Sequence, residues 1–122
     1  MINAPKLNLF NPAALTELLE IESDEKEGLV GALIIDYIAK APQLLSSLQE
    51  SCFTMNKAQI EINLHSLKSS SALLGLEQLA FSAGHLEDRV GQLLPQKSEL
   101  GALELEVESA VFALKNFKST LK

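Results

Sequence analysis

Apolar residues recur at spacings of three and four along almost the whole chain, and no stretch longer than a few residues alternates apolar with polar side chains. Spacings of three and four place apolar side chains on one face of an α-helix, whereas a half-buried strand requires alternation. Ala, Leu, Glu, Lys and Gln are abundant while β-branched residues are scattered, which also favours helix. The chain is therefore predicted to be all-α.

The length and charge of the chain limit its organisation and its partners. With 122 residues it can bury one hydrophobic core, so we expect a single domain over residues 1–122, with its core between about residues 8 and 120. The net charge of −6 repels nucleic-acid phosphates and anionic membrane surfaces, so neither is expected as a partner.

The location of the protein follows from what the sequence lacks. No continuous apolar run approaches the roughly 20 residues that cross a bilayer, and residues 1–10 do not form a secretion signal. Cys52 is the single cysteine, so it has no partner for an internal disulfide and is interpreted as a plain thiol. A cytoplasmic protein is expected.

Capping residues and helix breakers divide the chain into five predicted helices. They cover about residues 12–20, 24–49, 57–74, 76–94 and 99–121. The residues expected to cap their N-termini are Asn11, Ser23, Asn56 and Ser98, with Gln59 completing a capping box. Gly75 and Pro95 are expected to end the third and fourth helices. Pro42 lies inside the second helix, where we expect a kink or a brief break.

Each long predicted helix carries an apolar stripe. In the second helix the stripe contains Leu33, Tyr37, Leu44, Leu45 and Leu48. In the fourth helix it contains Leu79, Ala83, Leu86 and Val90. In the fifth helix it contains Leu103, Val107, Ala110, Leu114, Phe117 and Leu121. Four long amphipathic helices behind one short helix predict an antiparallel four-helix bundle with a short additional N-terminal helix. A long homodimeric coiled coil is disfavoured, because Pro42, Gly75 and Pro95 cut the chain into bundle-length segments.

The third predicted helix places a histidine opposite its apolar stripe. At about 100° per residue, the stripe consists of Ile60, Leu64, Leu67, Ser71 and Leu74. His65 points about 140° away from this stripe and should be exposed. The residues expected around its ring are Glu61, Lys68, Ser69 and Ala72, with Ile62 and Leu73 further round.

An exposed imidazole of this kind suits phosphoryl transfer. Near pH 7 a neutral ring is available, and one of its nitrogens can act as a nucleophile. Lys68 can offer charge-assisted hydrogen bonds to phosphoryl oxygens, while Ser69 and Ala72 leave room for a partner. The Ser69 hydroxyl can also bond the far ring nitrogen, although backbone carbonyls compete for this hydroxyl. An outward histidine is more often only a solvated residue, and the spacing alone leaves both interpretations open.

The segment from His65 to Gly75, followed by Leu79 and by Leu86-Glu87, resembles the signature of histidine-containing phosphotransfer (Hpt) domains. Tyr37, Pro42, Leu44, Leu45 and Leu48 resemble the aromatic-to-proline segment of the same family. The resemblance covers about residues 8–120. It departs from the family at Ser69, where Gly is usual, and because Ser is small we expect phosphoryl transfer to be preserved.

The resemblance implies a phosphorelay intermediate. His65 would accept a phosphoryl group from a receiver-domain aspartate and pass it to the aspartate of another receiver. Lys68 would stabilise the phosphoryl group, Ser69 would border the imidazole, and Glu61, Ile62, Ala72 and Leu73 would dock the partner. Response-regulator receivers and a hybrid sensor histidine kinase are the implied partners. The domain itself would be a monomeric carrier without kinase activity, either free-standing or part of a hybrid kinase, and it would need no cofactor because the receiver supplies Mg²⁺.

Two other functions stay open at this point. In the first, the face formed by Ile62, His65 and Leu73 is a helical interaction module that binds a partner without being phosphorylated. In the second, which is remote, His65, His85 and Glu87 hold a metal ion for an enzyme; otherwise no metal is expected. His85 is interpreted as a polar surface residue, and Glu87 as a structural hydrogen-bonding group or a surface charge.

Overall fold

The computed structural model describes residues 7–22 and 28–121, and these form five α-helices without a strand. The helices are α1 (Ala13–Ile21), α2 (Leu29–Phe53), α3 (Lys57–Leu73), α4 (Glu77–Arg89) and α5 (Lys97–Ser119). The helix α3 packs against α2 and α4, α5 packs against the same two helices, and the short α1 contacts α2. This arrangement confirms the predicted all-α bundle with a short additional N-terminal helix.

One stripe from each long helix builds the core. Its completely or almost completely buried apolar side chains include Val30, Ile34, Leu48, Ile60, Leu64, Leu67, Leu79, Leu86, Leu103 and Leu114. All five residues predicted for the α3 stripe are buried, and so are the four predicted for α4. Leu33, Leu44, Phe117 and Leu121, which the stripes of α2 and α5 also contain, are only partly buried and pack around the edge of the core. The predicted helical phases are therefore confirmed.

Local capping residues set three helix ends as predicted. The side-chain oxygen of Asn11 accepts a hydrogen bond from the Ala13 amide at 3.1 Å, and that of Asn56 accepts one from the Gln59 amide at 3.2 Å. The Gln59 side chain turns to Asn63 at 3.2 Å, so only half of the expected capping box forms. Gly75 ends α3 with a φ of 78°, a left-handed conformation that favours glycine.

Gly75 also holds the N-terminal segment against the bundle. Its carbonyl accepts a hydrogen bond from the Asn11 amide at 2.7 Å. A Cβ atom at this position would clash with the Asn11 carbonyl oxygen. A glycine is therefore required here both for the backbone angle and for the close approach of the chain before α1.

Several predicted boundaries differ from the structure. The helix α4 ends at Arg89 instead of about Leu94, because Gln92 and Leu93 both donate to the Arg89 carbonyl at 2.9 Å and turn the chain. The residue that caps α5 is Gln96 and not Ser98, since Glu99 returns its carboxylate to the Gln96 amide at 2.9 Å. The predicted cap at Ser23 lies outside the described residues, and α2 begins at Leu29.

The helix α2 runs without a break through Pro42 and ends at Phe53, beyond the expected end at about Gln49. A proline inside a helix costs about 3 kcal/mol. Ala41 and Leu45 on either side of it are both buried in the core, and their packing offsets this cost. By length and composition α2 is the one described helix that could cross a membrane, which qualifies the expectation that no such segment exists. Its buried stripe faces the core of the bundle.

Candidate functional site

His65 lies in the middle of α3 with its side chain 62% exposed, as the helical phase predicts. Leu64, directly before His65, and Leu67, two residues after it, are buried in the core. Their burial anchors α3 and keeps the opposite face outward. The imidazole is therefore presented to solvent by a helix that the core holds in place.

Glu87 on α4 contacts both polar residues of the candidate site. Its Oε2 lies 3.0 Å from Nδ1 of His65, and its Oε1 lies 2.9 Å from Nζ of Lys68. The Glu87 side chain is only 20% exposed, so these interactions are partly shielded from water. One carboxylate thus connects the imidazole to the ammonium group one turn further along α3.

The charges of this cluster fix the roles of the two ring nitrogens. The hydrogen bond from Lys68 lowers the pKa of Glu87 below its usual range, and the hydrogen bond from His65 adds to this effect against the opposing effect of burial. The same contact with Glu87 raises the pKa of Lys68. An ionised carboxylate only accepts hydrogen bonds, so Nδ1 of His65 carries the proton and donates. In the neutral ring, Nε2 is then the nitrogen with the free lone pair.

The helix α4 is shaped to receive the Lys68 side chain. A Cβ atom on Gly84 would lie 2.9 Å from Cδ of Lys68, closer than two carbon atoms normally approach. Gly84 therefore leaves the space that the aliphatic part of Lys68 occupies. Ala83 and Leu86 are buried next to them in the core, while the contacts with Lys68 and His65 show that Gly84 and Glu87 face α3.

Polar contacts with α2 fix α3 from its other side. The Tyr37 hydroxyl and the Ser71 hydroxyl form a buried hydrogen bond of 2.8 Å, and burial raises the pKa of Tyr37 to about 12. Asn63, buried next to the core, donates to the Ser47 hydroxyl at 3.0 Å. Sequence reasoning missed the role of Asn63, because its position one step before the stripe gives no sign of a polar partner on α2.

The expected docking residues surround His65 on an open surface. Glu61, Ile62, Ala72 and Leu73 are all exposed, and the two apolar side chains keep 57% and 53% of their surface accessible. A shallow groove of about 440 Å³ runs beside the ring between Ala58, Ile62 and Glu87. Exposed apolar side chains grouped beside polar ones mark surfaces that bind protein partners.

Ser69 is exposed beside the ring but does not hold it. The Ser69 hydroxyl does not bond the far ring nitrogen as the sequence suggested, because Glu87 occupies Nδ1. Glu87 was expected only as a structural group, although the Leu86-Glu87 pair was already visible in the sequence. Its position opposite His65 depends on how α3 and α4 pack, which local spacing does not specify.

The remote metal hypothesis finds no support in the part of the chain that is described. No group of three His, Cys, Asp or Glu side chains there is placed to hold a metal ion. Glu87 is engaged by His65 and Lys68. His85 instead stacks on Phe81, with the ring centroids 6.3 Å apart, on an exposed part of α4.

Two comparisons with known proteins bear on the family and the fold. The family model of the Hpt domain matches residues 32–112, more than half of the chain. The fold is similar to the crystal structure of histidine-containing phosphotransfer protein B (HptB) from Pseudomonas aeruginosa PAO1, with a TM-score of 0.81 and 20% sequence identity. The similarity covers 93% of this chain and 97% of that one. No curated protein sequence matches the chain significantly.

Proposed function

The chain belongs to the Hpt-domain family, and from that premise we propose that His65 accepts a phosphoryl group from a receiver-domain aspartate and passes it to the aspartate of another receiver. The observation that carries this proposal is the hydrogen bond between Nδ1 of His65 and Glu87, with the ring exposed in the middle of α3. It leaves Nε2 as the nucleophile on the accessible edge of the ring.

The transfer step follows from this arrangement. The lone pair of Nε2 attacks the phosphorus atom of the aspartyl phosphate, the P–O bond to the aspartate breaks, and the aspartate leaves as a carboxylate. The phosphorus is then bonded to Nε2, while the proton stays on Nδ1. The positive charge that develops on the ring faces the Glu87 carboxylate, 3.0 Å from Nδ1, which stabilises it. Reversal of the same step delivers the phosphoryl group to the next receiver.

Lys68 supplies positive charge one turn from the ring. Its ammonium group has three N–H donors and forms an ion pair with Glu87 at 2.9 Å. The positive charge of Lys68 lowers the energy of a phosphoryl group that carries close to two negative charges. We assign Lys68 the role of stabilising the phosphoryl group, in agreement with the role that the family resemblance implies.

The receiver completes the reaction. Hpt domains carry phosphoryl groups in phosphorelays and are not kinases, so the Mg²⁺ and the acidic pocket that phosphoryl transfer requires belong to the receiver. We propose that the receiver docks on the exposed side chains of Glu61, Ile62, Ala72 and Leu73. A cytoplasmic, monomeric domain spanning residues 1–122 and a hybrid sensor kinase upstream complete the proposal.

Transfer of labelled phosphate from phosphorylated receivers tests the proposal. We expect acid-labile label on the wild type and on His85→Gln, and none on His65→Gln. His85 is a matched control because it is the second histidine, exposed on the neighbouring helix. Receivers that bind the protein through the surface around Ile62 and Leu73 without transferring label would instead support the interaction module, which the exposure of these two apolar residues favours.

A further inference from the structure

The hydroxyl group of Ser69 has no role in holding the fold together. Ser69 is exposed on α3, one turn after His65. The two serines that follow it use their hydroxyls inside the protein, because Ser70 donates to the Ser66 carbonyl at 2.8 Å and Ser71 pairs with Tyr37 at 2.8 Å. Among the described residues Ser69 has no hydrogen-bond partner for its side chain. A donor is therefore available beside the ring.

Ser69 and Lys68 lie on opposite sides of the imidazole. Around the axis of α3, Lys68 is about 60° to one side of His65 and Ser69 is about 40° to the other. Glu87 contacts both Lys68 and Nδ1, so α4 lies on the Lys68 side. Side chains on a helix lean towards its N-terminus, which directs the short Ser69 side chain back to the turn that contains His65. Because Nδ1 faces Glu87 at 3.0 Å, the edge of the ring with Nε2 is turned away from Glu87.

We propose that Ser69 binds the phosphoryl group on His65, with its hydroxyl donating a hydrogen bond to an oxygen of the group on Nε2. This inference rests on the proposed function, in that His65 is the phosphorylated residue. The ammonium of Lys68 is held by Glu87 on the Nδ1 side, so the hydroxyl complements it from the other side. Ser69 forms no covalent bond: the P–O bond of the donor breaks, the P–Nε2 bond forms, and the hydroxyl keeps its proton throughout.

With this hydrogen bond, the phosphorylated form of His65 lasts longer and is more populated at equilibrium than it would be without the Ser69 hydroxyl. A hydrogen bond to a charged acceptor is stronger than one between neutral groups, and it acts only after the phosphoryl group has arrived. It therefore shifts the equilibrium of transfer towards this protein. If the side chain at position 69 has no hydrogen-bond donor, one phosphoryl oxygen can accept hydrogen bonds only from water.

Phosphoramidate, a small-molecule phosphoryl donor, tests the inference without any receiver. The wild type, Ser69→Ala, Ser69→Thr and Ser70→Ala are loaded, and the phosphorylated state is followed by ³¹P NMR. We expect Ser69→Ala to shorten its half-life about three- to tenfold. The phosphoryl resonance of Ser69→Ala should titrate at higher pH, because a donor that favours the dianion has been removed. Ser69→Thr should behave as the wild type, since it keeps a hydroxyl.

The matched control is Ser70→Ala, which removes a hydroxyl directed at the Ser66 carbonyl and should leave both readouts unchanged. Equal half-lives and titration curves for the wild type and Ser69→Ala would overturn the inference, as would a longer half-life for Ser69→Ala. A wild type that phosphoramidate cannot load on His65 would overturn it as well. Loading by phosphoramidate but by no receiver would overturn the proposed relay and leave the role of Ser69 standing.

Discussion

Glu87 shows how a single residue can organise a site that lies on another helix. Its carboxylate keeps the proton on Nδ1 of His65 and holds the ammonium group of Lys68 at 2.9 Å. The exposure of His65 could be predicted from the period of α3, because that period depends only on the local sequence. The hydrogen bond between Nδ1 and Glu87 could not be predicted, because the pairing of residues on two helices depends on how the helices pack. Two predictions at this scale test the carboxylate and the ammonium separately.

Replacing Glu87 by alanine should slow phosphoryl transfer at least about tenfold, because the ring loses the group that keeps the proton on Nδ1 and faces the developing charge. ¹⁵N NMR of the His65 ring should show a smaller fraction of the Nδ1–H tautomer. Asp88→Ala is the control, because Asp88 is an exposed acid on the same turn of α4. Wild-type transfer and an unchanged tautomer in Glu87→Ala would refute the positioning role.

Lys68→Ala should slow transfer several-fold and leave the unfolding free energy within about 1 kcal/mol of the wild type. The ammonium acts on the phosphoryl group, while its ion pair with Glu87 lies on a partly exposed surface and contributes little stability. Transfer kinetics and urea denaturation measure the two effects. Lys57→Ala, on the exposed first turn of α3, controls for the loss of a positive charge, and equal transfer rates for all three proteins would remove Lys68 from the mechanism.

At the scale of the helices, the ends set by Asn11, Asn56 and Gly75 agree with the sequence prediction, whereas the end of α4 and the start of α5 do not. Asn11, Asn56 and Gly75 act within a few residues of their own position, so their effects could be read directly. The end of α4 and the start of α5 depend on each other, because Arg89 and Glu99 form a two-pronged ion pair with distances of 2.7 and 2.5 Å. No local sequence pattern in α4 or α5 predicts this ion pair.

The phase of α3 is tested by a charge placed on its buried face. Leu67→Asp puts an unpaired carboxylate where the wild type is 1% exposed, at a cost of several kcal/mol, and should unfold the bundle. Leu73→Asp is the matched control, because Leu73 is 53% exposed on the same helix and should melt cooperatively near the wild-type temperature. Circular dichroism during heating distinguishes the two, and a cooperative, near-wild-type melt for Leu67→Asp would show that the assigned core face is wrong.

For the molecule as a whole, carboxylates tie together segments that are distant in sequence. Hydrogen bonds from Asn11 and Asn8 lower the pKa of Glu77, which joins the N-terminal segment to α4. Lys68 does the same to Glu87 between α3 and α4, and Arg89 lowers the pKa of Glu99 to about 2 between α4 and α5. Burial raises the pKa of Glu106, which acts in the opposite direction. Ionisation of Glu77, Glu87 and Glu99 stabilises the fold, while ionisation of the buried Glu106 destabilises it. Protonation at low pH should therefore lower the free energy of unfolding.

The sign of this sensitivity follows from linkage. A carboxylate whose pKa is lower in the folded state stabilises the fold at pH values above its unfolded pKa, and this stabilisation is lost as the pH falls through the folded value. For Glu99 the window lies between the ordinary value of 4.5 and about 2. The partly buried, two-pronged pair with Arg89 contributes about 1 kcal/mol after screening by solvent.

The free energy of unfolding should therefore fall between pH 5 and pH 2, and Glu99→Gln should make this fall smaller by about 1 kcal/mol. Urea denaturation at a series of pH values measures both curves. Glu108→Gln serves as the control, because Glu108 is exposed on α5 and makes no side-chain hydrogen bond to a described residue. If Glu99→Gln and the wild type lose stability in parallel over this range, the pair with Arg89 does not hold α4 and α5 together, and another contact must fix the turn between them.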